Sequence, residues 1–239
     1  MAVRSLYEEP EQQGVEVDWP ALEVIDAFRI YRSGPVETVA LRGLDLRVER
    51  GEMVAVLGPS GCGKSTLLLL AAGMDSPSAG EVRVRGRSLT RLTDAELASV
   101  RAREIAIVFQ SDNLWPVLSA EENVTTSLRL AGRDEPRAAA VEALAKFGLG
   151  ERRSHRGSAL SGGEQQRVAI AAAAARRAPL VLADEPTAEL DEANERVVLD
   201  ALRALREDYG SSVLVVTHSD RVAAAADRVI EMRDGRALT

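Results

Sequence analysis

One segment restricts the possible folds of this chain more than any other: the glycine-rich run GPSGCGKST at residues 58–66. It follows the continuous apolar run MVAVL, which is typical of a strand covered on both faces, and it precedes an apolar helix beginning near Lys64. The run fits the pattern G-x-x-x-x-G-K-[ST], and strand, loop and helix are the context that this pattern requires. The segment therefore predicts a phosphate-binding loop in an α/β protein.

The glycines of this loop have a conformational role. We expect Gly58, Gly61 and Gly63 to give the backbone positive φ and to aim N–H groups at phosphate oxygens, helped by the helix N-terminus. Cys62 occupies a variable position, where a passive small residue is a simpler interpretation than a redox switch. As the single cysteine of the chain, it cannot form an internal disulfide, which fits a reducing compartment.

The polar end of the loop supplies charge and metal chemistry. Lys64 would reach the β- and γ-phosphates, Ser65 would place its hydroxyl on Mg²⁺, and Thr66 would support the α- and β-phosphates. The predicted nucleotide-binding residues in this loop are Gly58, Pro59, Ser60, Gly61, Cys62, Gly63, Lys64, Ser65 and Thr66.

Two adjacent carboxylates follow another predicted buried strand, in LVLADEP at residues 180–186. Successive strand side chains point in opposite directions, so Asp184 and Glu185 should take different roles. We expect Asp184 to hold Mg²⁺, through water, and Glu185 to polarise the attacking water as general base. An acidic pair alone is weak support, but together with the phosphate loop it predicts nucleotide hydrolysis.

The apolar pattern predicts the fold class. Buried runs at 105–109, 180–184, 213–217 and 228–232 alternate with helical stretches, which indicates a mainly parallel α/β sheet. Before the phosphate loop, LEVIDAFRI and LRGLDLRV predict antiparallel strands.

Domain boundaries follow from changes in this pattern. Residues 1–20 are acidic and lack periodicity, which predicts a flexible, solvated extension. We expect one domain at 21–239, with an α/β core at about 21–112 and 163–239 and a helical subdomain at about 113–162.

Charge and hydropathy narrow the partners. The formal net charge of −7 would repel a phosphate backbone, so we expect no nucleic acid partner. The longest apolar stretches, at 67–73 and 168–175, are far shorter than a membrane span. If the chain serves a membrane, another protein crosses it, and we expect this chain in the cytoplasm.

The run LSGGEQQR at residues 160–167 resembles the signature motif of ABC ATPases almost letter for letter. Its chemistry is intelligible from the residues, because Ser161 is a good helix N-cap and Gly162 and Gly163 allow close backbone approach. Such a helix start is a second anion site. The resemblance covers roughly residues 22–236 and implies a P-loop NTPase (RecA-like) α/β core with an antiparallel β subdomain and an inserted α-helical subdomain.

Four further positions match this family in order. Gln110 looks like the Q-loop glutamine, which implies contact with Mg²⁺ and a catalytic role, and Asp191 looks like the end of the D-loop. His218 looks like the switch histidine. Tyr31 looks like the aromatic that stacks on adenine, whereas its rival Phe28 fits the core better by its alternation in the strand.

The resemblance also implies a mechanism. In this family the signature motif of one subunit closes over ATP held by the phosphate loop of the other, so the chain would form a homodimer with ATP and Mg²⁺ as ligands. Ser161, Gly162, Gly163 and Asp191 would act in trans. The implied catalytic residues are Lys64, Gln110, Glu185 and His218.

The stretch 89–124 resembles the branch of this family that partners FtsX-like permeases in lipoprotein release, macrolide export and cell division. It implies a permease contact near residues 111–118, with the chain peripheral on the inner face of the cell membrane. Trp115 could be an anchor for the permease or a core residue. The family usually differs at Gly157, Ala159 and Ala172, which bears on coupling and not on phosphate chemistry.

Two other functions compete with a transport ATPase. A translation or repair factor of the same family would usually carry a second domain, a basic linker or a long insertion, and the sequence contains none of these. A nucleotide sensor without hydrolysis is disfavoured because Lys64, Asp184, Glu185 and His218 are all present.

Overall fold

The computed structural model of the chain describes residues 18–34 and 36–238. Its strands are β1 (Leu22–Ser33), β2 (Val36–Val48), β3 (Met53–Leu57), β4 (Ala79–Val84), β5 (Arg87–Ser88), β6 (Ile105–Val108), β7 (Leu180–Asp184), β8 (Ser212–Thr217), β9 (Arg228–Arg233) and β10 (Arg236–Leu238). Its helices are α1 (Lys64–Ala71), α2 (Asp94–Arg103), α3 (Ala120–Leu130), α4 (Pro136–Lys146), α5 (Gly162–Arg176), α6 (Glu192–Glu207) and α7 (Asp220–Ala224).

The larger sheet has six strands in the order β10-β9-β3-β8-β7-β6. All of its strand pairs are parallel except the edge pair of β9 and β10. Each face is covered: in β7, Leu180 and Leu182 belong to one hydrophobic cluster, while Val181 and Ala183 belong to the other. The prediction of an α/β fold with a mainly parallel sheet is therefore confirmed, and continuous apolar runs form its central strands because neither face meets water.

The smaller sheet is antiparallel, with strand order β2-β1-β4-β5. The pairing of β1 with β2 confirms the antiparallel strands expected before the phosphate loop. The short hairpin of β4 and β5 was not predicted from the sequence. Its turn places Arg85 and Gly86 at φ of 50° and 79°, and arginine is an unusual residue for such a turn.

Helices occupy most of the segment predicted to be helical. α3 begins at a capping box in which Ser119 and Glu122 bond each other's backbone N–H groups. α3 and α4 pack on each other and on α5. The division of the domain at 113–162 stays an interpretation, and most of the extension predicted at 1–20 lies outside the described residues. Over the described part of the chain, the helices are too short or too polar to cross a lipid bilayer.

Candidate functional site

A cavity of about 430 Å³ lies where β3, β7 and β8 end and α1 begins. It is lined by Thr38, Val39, Ala40, Ser60, Gly61, Gly63, Lys64, Ser65, Thr66, Gln110, Asp184, Glu185, Ala188 and His218. The structure thus brings the phosphate loop, the acidic pair, Gln110 and His218 together in one place. Ligands of open parallel sheets bind at this carboxyl end of the strands.

The loop glycines serve two purposes. Gly61 and Gly63 have φ of 81° and 108°, as predicted, so that only glycine fits without strain. The expectation of positive φ at Gly58 is wrong. A Cβ there would lie 2.3 Å from the carbonyl oxygen of Met232, so close packing on β9 explains this glycine.

The ammonium of Lys64 is held over the loop. Its Nζ donates to the carbonyls of Gly58 at 2.6 Å and Pro59 at 3.1 Å. The same nitrogen lies 3.7 Å from Oε1 of Glu185. Lys64 is buried, so this positive charge is concentrated on the cavity and is little screened by solvent.

Asp184 faces the start of α1. Its Oδ1 accepts a hydrogen bond of 3.5 Å from the hydroxyl of Ser65. Burial raises the pKa of Asp184 and the charge of Glu185 adds to the shift, while the Ser65 hydroxyl and the charge of Lys64 oppose it. Carboxylate, hydroxyl and amide oxygens of Asp184, Ser65 and Gln110 suit Mg²⁺, and a divalent cation would compensate the desolvated carboxylate.

Glu185 leaves the strand in the opposite direction. Its backbone is left-handed, with φ of 44°. Its Oε1 lies 3.0 Å from Nδ1 of His218, and its Oε2 accepts a hydrogen bond of 3.2 Å from the backbone N–H of His218. The two carboxylates therefore face different partners, as predicted, although Glu185 lies beyond the end of β7 and its left-handed backbone sets its direction. The roles assigned to them stay predictions.

The signature motif forms the start of α5. Ser161 Oγ accepts from the backbone N–H of Glu164 at 3.3 Å, and Glu164 Oε2 accepts from the N–H of Ser161 at 2.8 Å. The hydrogen bond from the Ser161 backbone lowers the pKa of Glu164. This capping box fixes a helix N-terminus, which is the geometry that an anion site needs.

The D-loop packs beside this helix start. Asp191 caps α6 by accepting from the N–H of Asn194 at 2.8 Å. A Cβ on Gly163 would lie 3.0 Å from Oδ1 of Asn194, and one on Gly162 would lie 3.5 Å from Leu190. Ser161, Gly162, Gly163 and Asp191 are all outside the described lining of the cavity. Within one chain, the helix start predicted as a second anion site is therefore separate from the phosphate-loop cavity.

Gln166 is a buried polar residue that the sequence analysis missed. Its Nε2 donates to the carbonyls of Phe109 at 2.9 Å and Gln110 at 2.7 Å, and its Oε1 accepts from Nδ2 of Asn113 at 3.1 Å. Gln166 thus ties α5 to the segment that carries Gln110. The repeated glutamines of the signature motif carry no signal that distinguishes the buried one. Thr38, Val39 and Ala40 of β2 were also missed, because tertiary packing of the smaller sheet brings them to the cavity.

Two aromatic residues have defined surroundings. Tyr31 lies outside the described cavity lining; its hydroxyl donates to Asp75 at 2.9 Å, and the guanidinium of Arg29 lies 4.6 Å from its ring centroid. Its stacking on adenine stays a prediction. Trp115 is 50% exposed, which favours the interpretation as an anchor over that as a core residue.

Comparison with known proteins places these features in a family. The family model described as ABC transporter matches residues 41–188. The chain is 43% identical to the macrolide export ATP-binding/permease protein MacB of Hyphomonas neptunium over 92% of its own length, but it spans only 34% of that relative. It is 46% identical to the lipoprotein-releasing system ATP-binding protein LolD of Chromohalobacter salexigens, over 87% of this chain and 89% of LolD. The dimeric post-hydrolysis structure of the ATP-binding cassette MJ0796 with ADP and Pi is 38% identical, with a TM-score of 0.84, and covers 91% of this chain and 97% of that one.

Proposed function

The chain belongs to the ABC transporter family, and from that premise we propose that two copies of it hydrolyse ATP to drive a separate, FtsX-like membrane permease. ATP hydrolysis by the chain agrees with the post-hydrolysis dimer of its structural relative. The observation that carries the proposal is the cavity that joins Lys64 of the phosphate loop to the acidic pair and His218.

The side chains divide the work of phosphoryl transfer. Loop N–H groups and Lys64 bind the phosphates and offset their charge. Asp184, Ser65 and Gln110 would hold Mg²⁺, which when bound neutralises phosphate charge. Glu185 orients the attacking water and accepts its proton, and His218 Nδ1, 3.0 Å from Glu185 Oε1, fixes the direction of that carboxylate.

The dimer is supported by the separation of the two anion sites. Since the start of α5 is capped and lies away from the phosphate loop of its own chain, it is available to a nucleotide bound by a second chain. Gly162 supports this role, because its φ is not positive and the nearest atom to an added Cβ is 3.5 Å away. Nothing described within the chain requires glycine there, whereas approach of a γ-phosphate would.

The permease site is supported by a groove of about 360 Å³ beside the segment that carries Gln110. Its walls include Asn113, Leu114 and Trp115 on one side and Ala169 and Ala172 on the other. Alanines leave room for a bulky side chain, and the exposed Trp115 offers an anchor. A short apolar helix on the cytoplasmic side of a permease fits such a groove, and contact near 111–118 would place the chain peripherally on the inner face of the membrane.

The FtsX-like class rests on the resemblance of residues 89–124 and on the printed names of the MacB and LolD relatives. Co-expression with a candidate FtsX-like permease, followed by purification in mild detergent, tests it. We expect the wild-type chain to co-purify and the Trp115→Ala variant to be retained about tenfold less. Leu238→Ala, at an exposed position on β10, is the control. Failure of the wild-type chain to co-purify would contradict the permease assignment and leave the ATPase assignment intact.

A further inference from the structure

Another cavity, of about 670 Å³, has arginine at seven of its twelve lining positions. Four structural elements contribute to this arginine cleft, which has no overlap with the ATP cavity. Arg85 and Arg87 come from the β4–β5 hairpin, Arg103 ends α2, Arg133 follows α3, and Arg176 and Arg177 lie at the end of α5. Arg50, before β3, completes the wall.

Most of this positive charge lacks an acidic partner. Arg87 lies 3.9 Å from Glu96, and Arg50 lies 3.4 Å from Asp18. Within the described part of the chain, Arg85, Arg103, Arg133 and Arg177 make no ion pair. Glu104 is the one acidic residue on the described wall. In a chain with a formal net charge of −7, such a concentration of unpaired guanidinium groups creates a local field that attracts anions.

The backbone also indicates that these side chains are there for a reason other than folding. Arg85 and Arg177 have left-handed backbones, with φ of 50° and 52°. Glycine or asparagine is the usual residue at the turn position that Arg85 occupies. Glycine is the usual residue at the helix end that Arg177 occupies. Neither arginine side chain makes a hydrogen bond among the described residues that would offset this backbone cost. Strain retained in this way is a feature of binding sites.

We propose that the arginine cleft binds the phosphate groups of anionic lipid headgroups at the membrane surface. Guanidinium groups match phosphate geometry with two parallel N–H donors, and a cluster of them suits several phosphates presented side by side. Two exposed apolar side chains lie close in sequence or in space to the arginines of the cleft, as suits an interfacial site. Trp19, 37% exposed, lies directly against Gly86 between Arg85 and Arg87, and Leu130, 68% exposed, precedes the segment that carries Arg133.

The position of the cleft fits a membrane surface. Arg176 lines both the cleft and the apolar groove with Trp115, so the two sites share a wall. A terminal guanidinium nitrogen of Arg176 donates to the carbonyls of Arg101 at 2.9 Å and Ile105 at 2.5 Å. Arg176 therefore has a structural role, because it holds the end of α2 and the start of β6. Arg85 sits in a hairpin turn and Arg133 lies beyond the end of α3, so that explanation does not extend to them. The inference goes beyond the proposed ATPase function; its orientation toward the membrane rests on the proposed permease groove, whereas vesicle binding can be measured without a permease.

Sedimentation of the full chain with lipid vesicles tests the proposal. Wild type should bind vesicles of phosphatidylcholine containing phosphatidylglycerol, should release them at high salt, and should not bind pure phosphatidylcholine. The double variant Arg85→Asn, Arg177→Asn should bind about thirtyfold more weakly, because two charges near the surface are lost. Asparagine suits both left-handed positions, so the melting temperature should be unchanged or higher.

A matched pair of exposed arginines on other elements, Arg32→Asn with Arg203→Gln, is the control and should keep binding within about twofold. Equal binding by the Arg85, Arg177 variant and wild type would overturn the proposal. A second outcome would also overturn it: the wild type binds pyrophosphate but not the anionic vesicles, and the double variant loses pyrophosphate binding. This result would assign the cleft to a soluble ligand. A third outcome would overturn it too: the wild type does not bind vesicles, and the double variant no longer co-purifies with the permease. This result would assign the cleft to an acidic protein segment.

Discussion

The side-chain amide of Gln166 donates a hydrogen bond of 2.7 Å to the backbone carbonyl of Gln110. Gln166 lies on the helix that begins with the signature motif, and Gln110 lines the cavity of the phosphate loop beside the groove that contains Trp115. Because Gln166 holds the backbone and not the side chain of Gln110, it fixes the path of the whole segment. Signature helix, ATP cavity and groove are therefore joined by one buried amide.

Gln166→Leu removes this link and two further hydrogen bonds. We expect kcat for ATP to fall by about 10- to 100-fold, since misplacement of a reacting group has effects of this size. The free energy of unfolding should fall by about 1–3 kcal/mol. Gln165→Leu is the control, because Gln165 bonds the carbonyls of Gly157 and Leu160. Steady-state kinetics and urea unfolding measure both variants, and an equal loss of kcat in both would contradict the positioning role of Gln166.

Glu185→Gln should leave ATP binding intact and lower turnover by about 10²- to 10⁴-fold, the usual contribution of a general base. With hydrolysis blocked, ATP should hold a dimer that size-exclusion chromatography detects. Glu189→Gln, a change in a carboxylate that instead accepts from Gln110, is the control and should retain turnover within about tenfold. Normal turnover in Glu185→Gln would refute the assignment of the base.

His218→Ala should lower kcat by about 10- to 100-fold, because the imidazole orients Glu185. If His218 acts through that carboxylate, the same change in a Glu185→Gln background should cost little more, so the two effects will be non-additive. Single-turnover phosphate release from the two single variants and the double variant measures this coupling. Full additivity would show that His218 acts independently of Glu185.

Asp184→Asn should make the chain more stable at neutral pH and stop Mg²⁺-dependent turnover. Burial raises the pKa of Asp184 above its ordinary value of 3.8. As pH rises from that value through the folded-state pKa, the unfolded chain loses its proton first, and wild-type stability falls relative to the variant. Above this window the variant should be more stable by about 0.5–1 kcal/mol, since partial exposure screens the charge. Below it the two should match; urea unfolding at several pH values decides, and a less stable variant at pH 8 would contradict the burial argument.

Gly162→Ala separates a folding role from a role in the dimer. Alanine fits the space and is a better helix residue, so the free energy of unfolding should stay the same or rise by up to about 1 kcal/mol. Turnover should nonetheless fall by at least about tenfold if a γ-phosphate from a second chain approaches this position. Wild-type turnover in this variant, measured at a protein concentration that supports dimers, would count against that approach.

Local sequence patterns predicted the parts of this fold that local physics determines. The runs at 53–57 and 180–184 are apolar throughout because both faces of the sheet are covered, and the glycine spacing of the phosphate loop reflects backbone angles at Gly61 and Gly63. The carboxylates of Asp184 and Glu185 contact different partners, as expected, but the direction of Glu185 follows from its left-handed backbone after the strand.

Contacts between residues far apart in the chain could not be predicted from these local patterns. Gln166 lies in an alanine-rich helix whose faces differ little in hydrophobicity. The spacing of apolar residues therefore does not predict that Gln166 is buried. The β4–β5 hairpin turns at Arg85, where a sequence pattern would call for asparagine or glycine. The need for glycine at Gly58 arises from Met232, far along the chain, and no local pattern could reveal it.

The ammonium of Lys64 donates two hydrogen bonds to its own chain, to the carbonyls of Gly58 and Pro59. The ammonium has a third N–H donor, which an incoming phosphate can bind without displacing either carbonyl. Lys64 is therefore positioned over the loop before a nucleotide binds, which reduces the conformational entropy that binding must remove.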